Sequence, residues 1–244
     1  MQQINQNQAM GYDRASITFS PDGRLLQVEY AKKTVKQGAS ALGMVCKDGV
    51  VLVADKRITE KLIVPASIEK TFQVDDHIGA TATGLVMDGR VLIEKAQVIA
   101  QQHKIVFDSP IDLLSLVKEI SNIKQAFTQY GGARPFGVSL LFAGVNGRPQ
   151  LFVTDPTGIF FEYKATGIGE GENEIKQMLS KDYKESMSIS EAIKLGVGIL
   201  KNVLGKEFDI DRLDVAYITS KDKKFKKCSK EELQKVKWLA LIKQ

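Results

Sequence analysis

Apolar residues change their spacing several times along the chain, and each change marks an element. Leu25, Leu26, Val28, Tyr30, Ala31 and Val35 recur at helical spacing from about Arg24, and Gly38 supplies a natural stop. Ahead of them, Ser20-Pro21-Asp22-Gly23 is a turn: Pro sets φ and Gly relieves strain at the exit. The stretches "ASALGMVC" and "VVLVADKR", joined by "KDG", predict a strand pair. A second pair is "KTFQV" and "IGATATG", with Asp75-Asp76-His77 between them. Helical spacing then returns over about 87–107, with Asp88 in the first turn, and over about 111–130, ending at Gly131-Gly132.

Strand patterns resume in "GVSLLFAGV", "PQLFVTD" and "IFFEYKAT", separated by Asn146-Gly147 and Asp155-Pro156-Thr157-Gly158. Helices are predicted near 172–182 and 190–204, then a strand, "DVAYITS". A closing helix over "SKEELQKVKWLALIK" has Ser229 as cap and Glu232 in the capping-box position. Hairpin-length turns between neighbouring strands imply antiparallel sheets, so the class is α+β. Roughly ten strands and two helix pairs suit two stacked sheets with helices outside both. No Pro/Ser-rich linker divides the chain, which predicts one domain over 1–244.

Composition narrows the function. Of 244 residues, 43% are hydrophobic, enough for a sizeable core. No apolar run reaches the roughly 18 residues needed to span a bilayer. The start, "MQQINQNQAMGYDR", is polar and lacks the apolar stretch of a secretion signal. Two cysteines make no disulfide framework, so the expectation is a cytoplasmic protein with no membrane partner. The net charge of +5 invites a nucleic-acid reading, but the lysines cluster in "SKDKKFKKCSKEELQKVK" among acids and few aromatics. A solvated face is expected there, not a nucleic-acid site.

Familiar catalytic patterns are missing. His77 lies in a tight turn and His103 late in a helix, neither tied to a nucleophile. Two histidines and two distant cysteines give no metal site. Cys46 reads as core; Cys228 sits among lysines that would lower a thiol pKa, with nothing to pair with it. Gly167, Gly169 and Gly171 precede a helix, yet Glu170, Glu172 and Glu174 would repel a phosphate, so a structural turn is expected. What remains is Gly38-Ala39, Asp55-Lys56-Arg57 and Lys70.

Five stretches carry a resemblance: "YDRASITFSPDGRLLQVEYA" (12–31), "GASALGMVCKDGVVLVADKR" (38–57), "IEKTFQVDDHIGATATGLVMDGRVL" (68–92), "QYGGARPFGVSLLFAGV" (129–145) and "FFEYKATGIGEGENE" (160–174). Together they resemble the subunits of the 20S proteasome, of the N-terminal-nucleophile hydrolase fold, and the α type of the prokaryotic kind. The resemblance implies a four-layer αββα sandwich over 38–244, an extra N-terminal helix within 12–37, and a flexible gate over 1–11. It implies no cofactor and no metal.

The family's active subunits attack with an N-terminal Thr whose own α-amino group is the base. A Lys tunes that chemistry by its charge and an Asp orients the Lys. Asp55 and Lys70 match the supporting positions, but the nucleophile position matches Ala39, which has no hydroxyl. Ser40 follows no recognised processing site, and the upstream residues read as turn and helix. The expectation is a non-catalytic subunit of a threonine-protease complex.

By the same resemblance, seven copies form a ring that stacks on rings of β subunits and admits unfolded chains. Lys70, with Gly38 and Leu85, matches a pocket for the C-terminal carboxylate of activator ATPases ending in hydrophobic-Tyr-any; pairing with a neighbouring carboxylate is its plainer role. Tyr12, Asp13, Pro21 and Tyr30 match the cluster that holds the gate open. Tyr130, Gly131, Gly132 and Arg134 match the constriction behind it, or form an ordinary helix-to-strand turn. Two readings from other classes stand beside this one: a threonine-type peptidase needing processing, and a basic nucleic-acid-binding module.

Overall fold

The structure, a computed structural model, describes residues 10–58, 60 and 62–234. Most of the expected gate segment and the end of the closing helix lie outside the described residues.

Helix α1 (Leu26–Lys36) begins without a side-chain cap, and the turn before it fixes its direction. Gly23 N–H donates to Ser20 O (2.8 Å) with φ +74°, and Arg24 N–H donates to the buried Ser20 Oγ (3.2 Å). Leu26, Val28, Ala31 and Val35 form the buried stripe, which lies over two strands introduced next, β4 and β5.

Among the described residues, ten strands form two five-stranded antiparallel sheets. They are β1 (Ala41–Cys46), β2 (Gly49–Asp55), β3 (Thr71–Asp75), β4 (Ile78–Gly84), β5 (Val138–Asn146), β6 (Arg148–Thr154), β7 (Phe160–Glu162), β8 (Ala165–Ile168), β9 (Leu213–Thr219) and β10 (Phe225–Lys227). One sheet runs β10-β9-β2-β1-β8 and the other β3-β4-β5-β6-β7. Between them lie aliphatic residues, many of them small, such as Ala41, Val50, Leu52, Ala54, Leu141 and Ala143. Helices α2 (Val86–Phe107) and α3 (Leu113–Phe127) cover the second sheet; α4 (Glu172–Asp182) and α5 (Ile189–Leu204) cover the first. Strands buried on both faces need not alternate, which explains the continuous apolar run of β2. The four-layer sandwich with its N-terminal helix is therefore as expected.

Three local expectations need correction. "IFFEYKAT" is not one strand: β7 ends the second sheet and β8 edges the first. The chain crosses at Tyr163, whose N–H donates to Leu151 O (2.8 Å), and Lys164, whose O accepts from Val45 N–H (2.8 Å). The second long helix stops at Phe127 rather than Tyr130, with Thr128 Oγ1 donating to Gln125 O (2.6 Å).

The lysine-rich run contains strand β10. Its Phe225 packs where a Cβ on Gly79 would come within 2.6 Å of the ring. Its lysines are partly paired: Lys226 with Asp222, Lys227 with Glu69 (2.9 Å), and Lys230 with Asp211 (2.7 Å). Lysine on an exposed edge also discourages stray strand addition. The last helix starts as expected: Ser229 N–H donates to Glu232 Oε2 (2.8 Å), and Glu232 N–H to Ser229 Oγ (3.2 Å).

Candidate functional site

The end of β4 gathers the residues singled out around Lys70. The Lys70 Nζ donates to Ala82 O (3.2 Å), and Thr83 Oγ1 donates to Ala39 O (2.9 Å). A Cβ on Gly38 would stand 2.4 Å from Gly84 N, so only glycine permits the approach of the α1 terminus to this strand. Leu85 follows, its N–H on Gly137 O (2.9 Å) and its side chain partly exposed. Lys70, Gly38 and Leu85 thus share one corner.

Lys70 forms no ion pair among the described residues. Its position is fixed through the backbone: the N–H groups of Lys70 and Thr71 both donate to Asp214 Oδ2 (2.8 and 2.9 Å). Burial lowers the Lys70 pKa; Asp55 opposes that shift and Arg57 adds to it. Asp55, fully buried, does not hold the Lys70 ammonium. Its carboxylate accepts from Arg212 Nε (2.9 Å) and Nη2 (2.8 Å), and from Arg57 N–H (3.0 Å). That last bond stabilises Arg57 in the left-handed region at φ +46°, from where its guanidinium reaches Gln37 O (2.7 Å) and Glu170.

Ala39 is buried and carries only a methyl group. Ser40 is buried as well, and its Oγ donates to Glu170 O (2.7 Å). The glycine-rich turn closes over Ala39: a Cβ on Gly169 would fall 2.8 Å from Ala39 O, leaving no open anion cradle.

A second cluster lies at the other end of α1, about 16 Å away for 11 residues at 1.5 Å each. Tyr30 Oη donates to Asp13 Oδ2 (3.4 Å), and Gln27 Nε2 to Asp13 O (2.5 Å). Tyr12 is half-buried and Pro21 is exposed at the turn. The same segment runs along the 130–135 loop: Ser16 Oγ donates to Tyr130 O (3.5 Å), and a Cβ on Gly131 would meet Ile17 at 3.6 Å. Gly132 adopts φ +85° and Tyr130 is exposed. Arg134 turns back to the buried Asp88 through two bonds (2.6 and 2.7 Å), while Gly137 N–H donates to the same carboxylate (2.8 Å). Burial alone would raise the Asp88 pKa, but the Arg134 and Gly137 hydrogen bonds outweigh it and hold the group below its usual range.

Arg212, Asp214 and Thr83 escaped the sequence reading. The signal available for Arg212 was a lone arginine in "FDIDRLDVAYI", entering a buried strand, together with an Asp55 that needed a cation. The set-aside groups have structural partners: His77 Nε2 meets Ile111 O at 2.9 Å, and His103 Nδ1 meets Ser109 O at 3.1 Å. Cys228 departs from expectation: burial pushes its thiol up to about 12, and the neighbouring acids add to the shift. Among the described residues no cluster of His, Cys, Asp or Glu could hold a metal, and no helix is long and apolar enough to cross a membrane.

Residues 35–218 match the proteasome subunit family, and residues 12–33 match the N-terminal signature of its A-type subunits. The chain belongs to the proteasome subunit family. Among its relatives, the proteasome alpha subunit of Pyrococcus abyssi is 51% identical over 92% of this chain and 86% of its own. That of Archaeoglobus fulgidus is 48% identical over 92% of both chains. That of Methanosarcina thermophila is 51% identical over 92% of this chain and 91% of its own. The signature at 12–33 covers the Asp13 contacts and most of α1, so this proteasome subunit carries its α-type mark on the element that joins the two clusters.

Proposed function

We propose that this chain is a non-catalytic α subunit of the 20S core particle. It builds the outer heptameric ring on β subunits, gates the admission of unfolded proteins, and docks an activator ATPase. The observation that carries this reading is the placement of α1. Its C-terminal end abuts the Lys70 corner through Gly38, and its N-terminal end holds Asp13 through Tyr30 and Gln27.

A half-buried ammonium that, among the described residues, bonds a carbonyl and no carboxylate is available to an incoming carboxylate. The C-terminus of an activator tail ending in hydrophobic-Tyr-any supplies that charge, and Leu85 offers apolar surface beside it. Binding at one end of a short rigid helix biases what the other end holds. Peptide hydrolysis would need a hydroxyl with a free amine at position 39; the methyl of Ala39 supplies neither. The packed stripe of α1 argues against removal of the upstream residues as a propeptide. The paired lysines near the C-terminus argue against a nucleic-acid module.

The test is Lys70→Ala in the particle assembled with its β partner. Activator-stimulated hydrolysis of a short fluorogenic peptide should be lost while native mass spectrometry still reports the assembled rings. Undiminished stimulation would refute the docking role, and failure to assemble would make Lys70 a structural residue.

A further inference from the structure

Two cations stand by the backbone where α1 ends. Lys70 is held beside it by β4: its Nζ donates to Ala82 O (3.2 Å), and the next residue, Thr83, donates through Oγ1 to Ala39 O (2.9 Å). Arg57 touches that backbone directly, its Nη1 donating to Gln37 O (2.7 Å) while its Nη2 pairs with Glu170. We propose that Arg57 is a second anchor for the carboxylate that docks on Lys70, and that Glu170 is a resident carboxylate which occupies Arg57 until the incoming one displaces it. The inference rests on the docking reading above. The charge of Arg57 is felt at the Lys70 ammonium, where it adds to the lowering of the pKa that burial begins and Asp55 opposes.

The backbone of Arg57 is fixed and its guanidinium is exchangeable. Its N–H donates to Asp55 Oδ1 (3.0 Å), which holds the residue at φ +46°. Asp55 itself is committed: it is fully buried and takes two bonds from Arg212 (2.9 and 2.8 Å). The Arg57–Glu170 pair is different in kind, because its side chains are 35% and 66% exposed. An ion pair in that much water is weak, so a carboxylate that also meets Lys70 outcompetes it. The planar fork of a guanidinium takes a carboxylate through two parallel bonds, which a lysine cannot do.

The glycine-rich turn before α4 keeps the competitor in place. Glu170 N–H donates to Gly38 O (2.9 Å), and Glu170 O accepts from Ser40 Oγ (2.7 Å). Gly169, at φ +95°, admits this approach, since a Cβ there would stand 2.8 Å from Ala39 O. The turn is thus bonded on both sides of Ala39 and presents one exposed carboxylate to Arg57. An acid in a turn that would otherwise suit an anion makes sense as an internal occupant. Removing its charge strengthens docking, and removing Arg57 weakens it.

The test is a titration of a short fluorescent peptide ending in Leu-Tyr-Ala, with a free C-terminal carboxylate, against the particle assembled with its β partner. Fluorescence anisotropy reads the binding, the C-terminal amide of the same peptide is the control, and native mass spectrometry checks the rings. Glu170→Gln should tighten binding of the carboxylate peptide about fivefold and leave the amide unchanged. Arg57→Gln should weaken it by a similar factor, and adding Glu170→Gln to Arg57→Gln should give no gain, because the competitor then has nothing to hold. Unchanged or weaker binding with Glu170→Gln, or a gain that persists without Arg57, overturns the inference. Should Arg57→Gln fail to assemble, Glu170→Gln decides alone, since it keeps both backbone bonds of the turn. Lys70→Ala that abolishes binding while Glu170→Gln and Arg57→Gln are both neutral overturns the second anchor and leaves the docking reading intact. Binding that survives Lys70→Ala at full strength, or a peptide that does not bind the unmodified particle, refutes the docking reading itself.

Discussion

Lys124 offers the sharpest quantitative test of the packing. It lies on α3 with no solvent exposure, and its ammonium donates to Thr154 Oγ1 (2.9 Å) and Thr154 O (3.2 Å). Burial pulls its pKa down to about 7 from 10.5, and Asp155 only partly restores it. Lowering a lysine pKa on folding means that the unfolded chain binds more protons between those two values. Stability therefore rises with pH across that window, and the penalty is full below pH 7. At 1.36 kcal/mol for each tenfold change, the penalty is at most about 4 kcal/mol at pH 7 and about 1 kcal/mol at pH 10. Lys124→Met removes the titration and fills a similar volume, but leaves Thr154 without a donor, which costs about 1 kcal/mol. The variant should exceed the parent by roughly 2–3 kcal/mol at pH 7, and the gap should close by pH 10. Guanidinium denaturation followed by far-ultraviolet circular dichroism measures this, at one protein concentration because assembly shifts apparent stability. A gap that does not change with pH, or a parent that is the more stable at pH 7, would show that the buried amine is stably charged.

Other consequences are more direct. Arg212→Met leaves the Asp55 carboxylate buried without its guanidinium and should cost about 3–5 kcal/mol in the same denaturation assay; adding Asp55→Asn should recover much of that, and a loss below about 1 kcal/mol would deny the pair its role. Deleting residues 2–11 should raise hydrolysis of short peptides by the assembled particle without altering inhibitor labelling of the β subunits; an unchanged rate would remove the gate assignment. Because burial pushes the Cys228 thiol up to about 12, its alkylation by iodoacetamide at pH 8 should be at least about a hundredfold slower than in the unfolded chain, and should quicken as pH rises. Comparable rates in both states would contradict the burial.

Helical periodicity and turn chemistry located the helices and hairpins because both depend on residues close in sequence. The crossing at Tyr163-Lys164 was invisible for the opposite reason. Both halves of "IFFEYKAT" suit a strand, and only the position of a distant neighbour, Val45 or Leu151, decides which sheet each joins. Strand β10 was hidden by its lysines, since one aromatic filling the space above Gly79 outweighs a charged pattern. Lys124 was legible in principle: it continues the stripe Leu113, Leu116, Val117 and Ile120, and its placement on an apolar face foretells burial. At the candidate site, residue types pointed to Asp55 and Lys70, but the choice of partner did not follow from them. Arg212 takes Asp55 from 157 positions away, which no local spacing encodes.

The crossing between β7 and β8 also bears on how the molecule transmits force. Two stacked sheets held only by side-chain packing can shear past one another with modest changes in contact. Here a continuous backbone rivets them at one edge, and Phe225 N–H on Asp76 O ties them at the other. A push at the Lys70 corner is therefore carried by a stiff slab along α1 to its far end, where the turn at Pro21 and the contacts of Asp13 meet the rim.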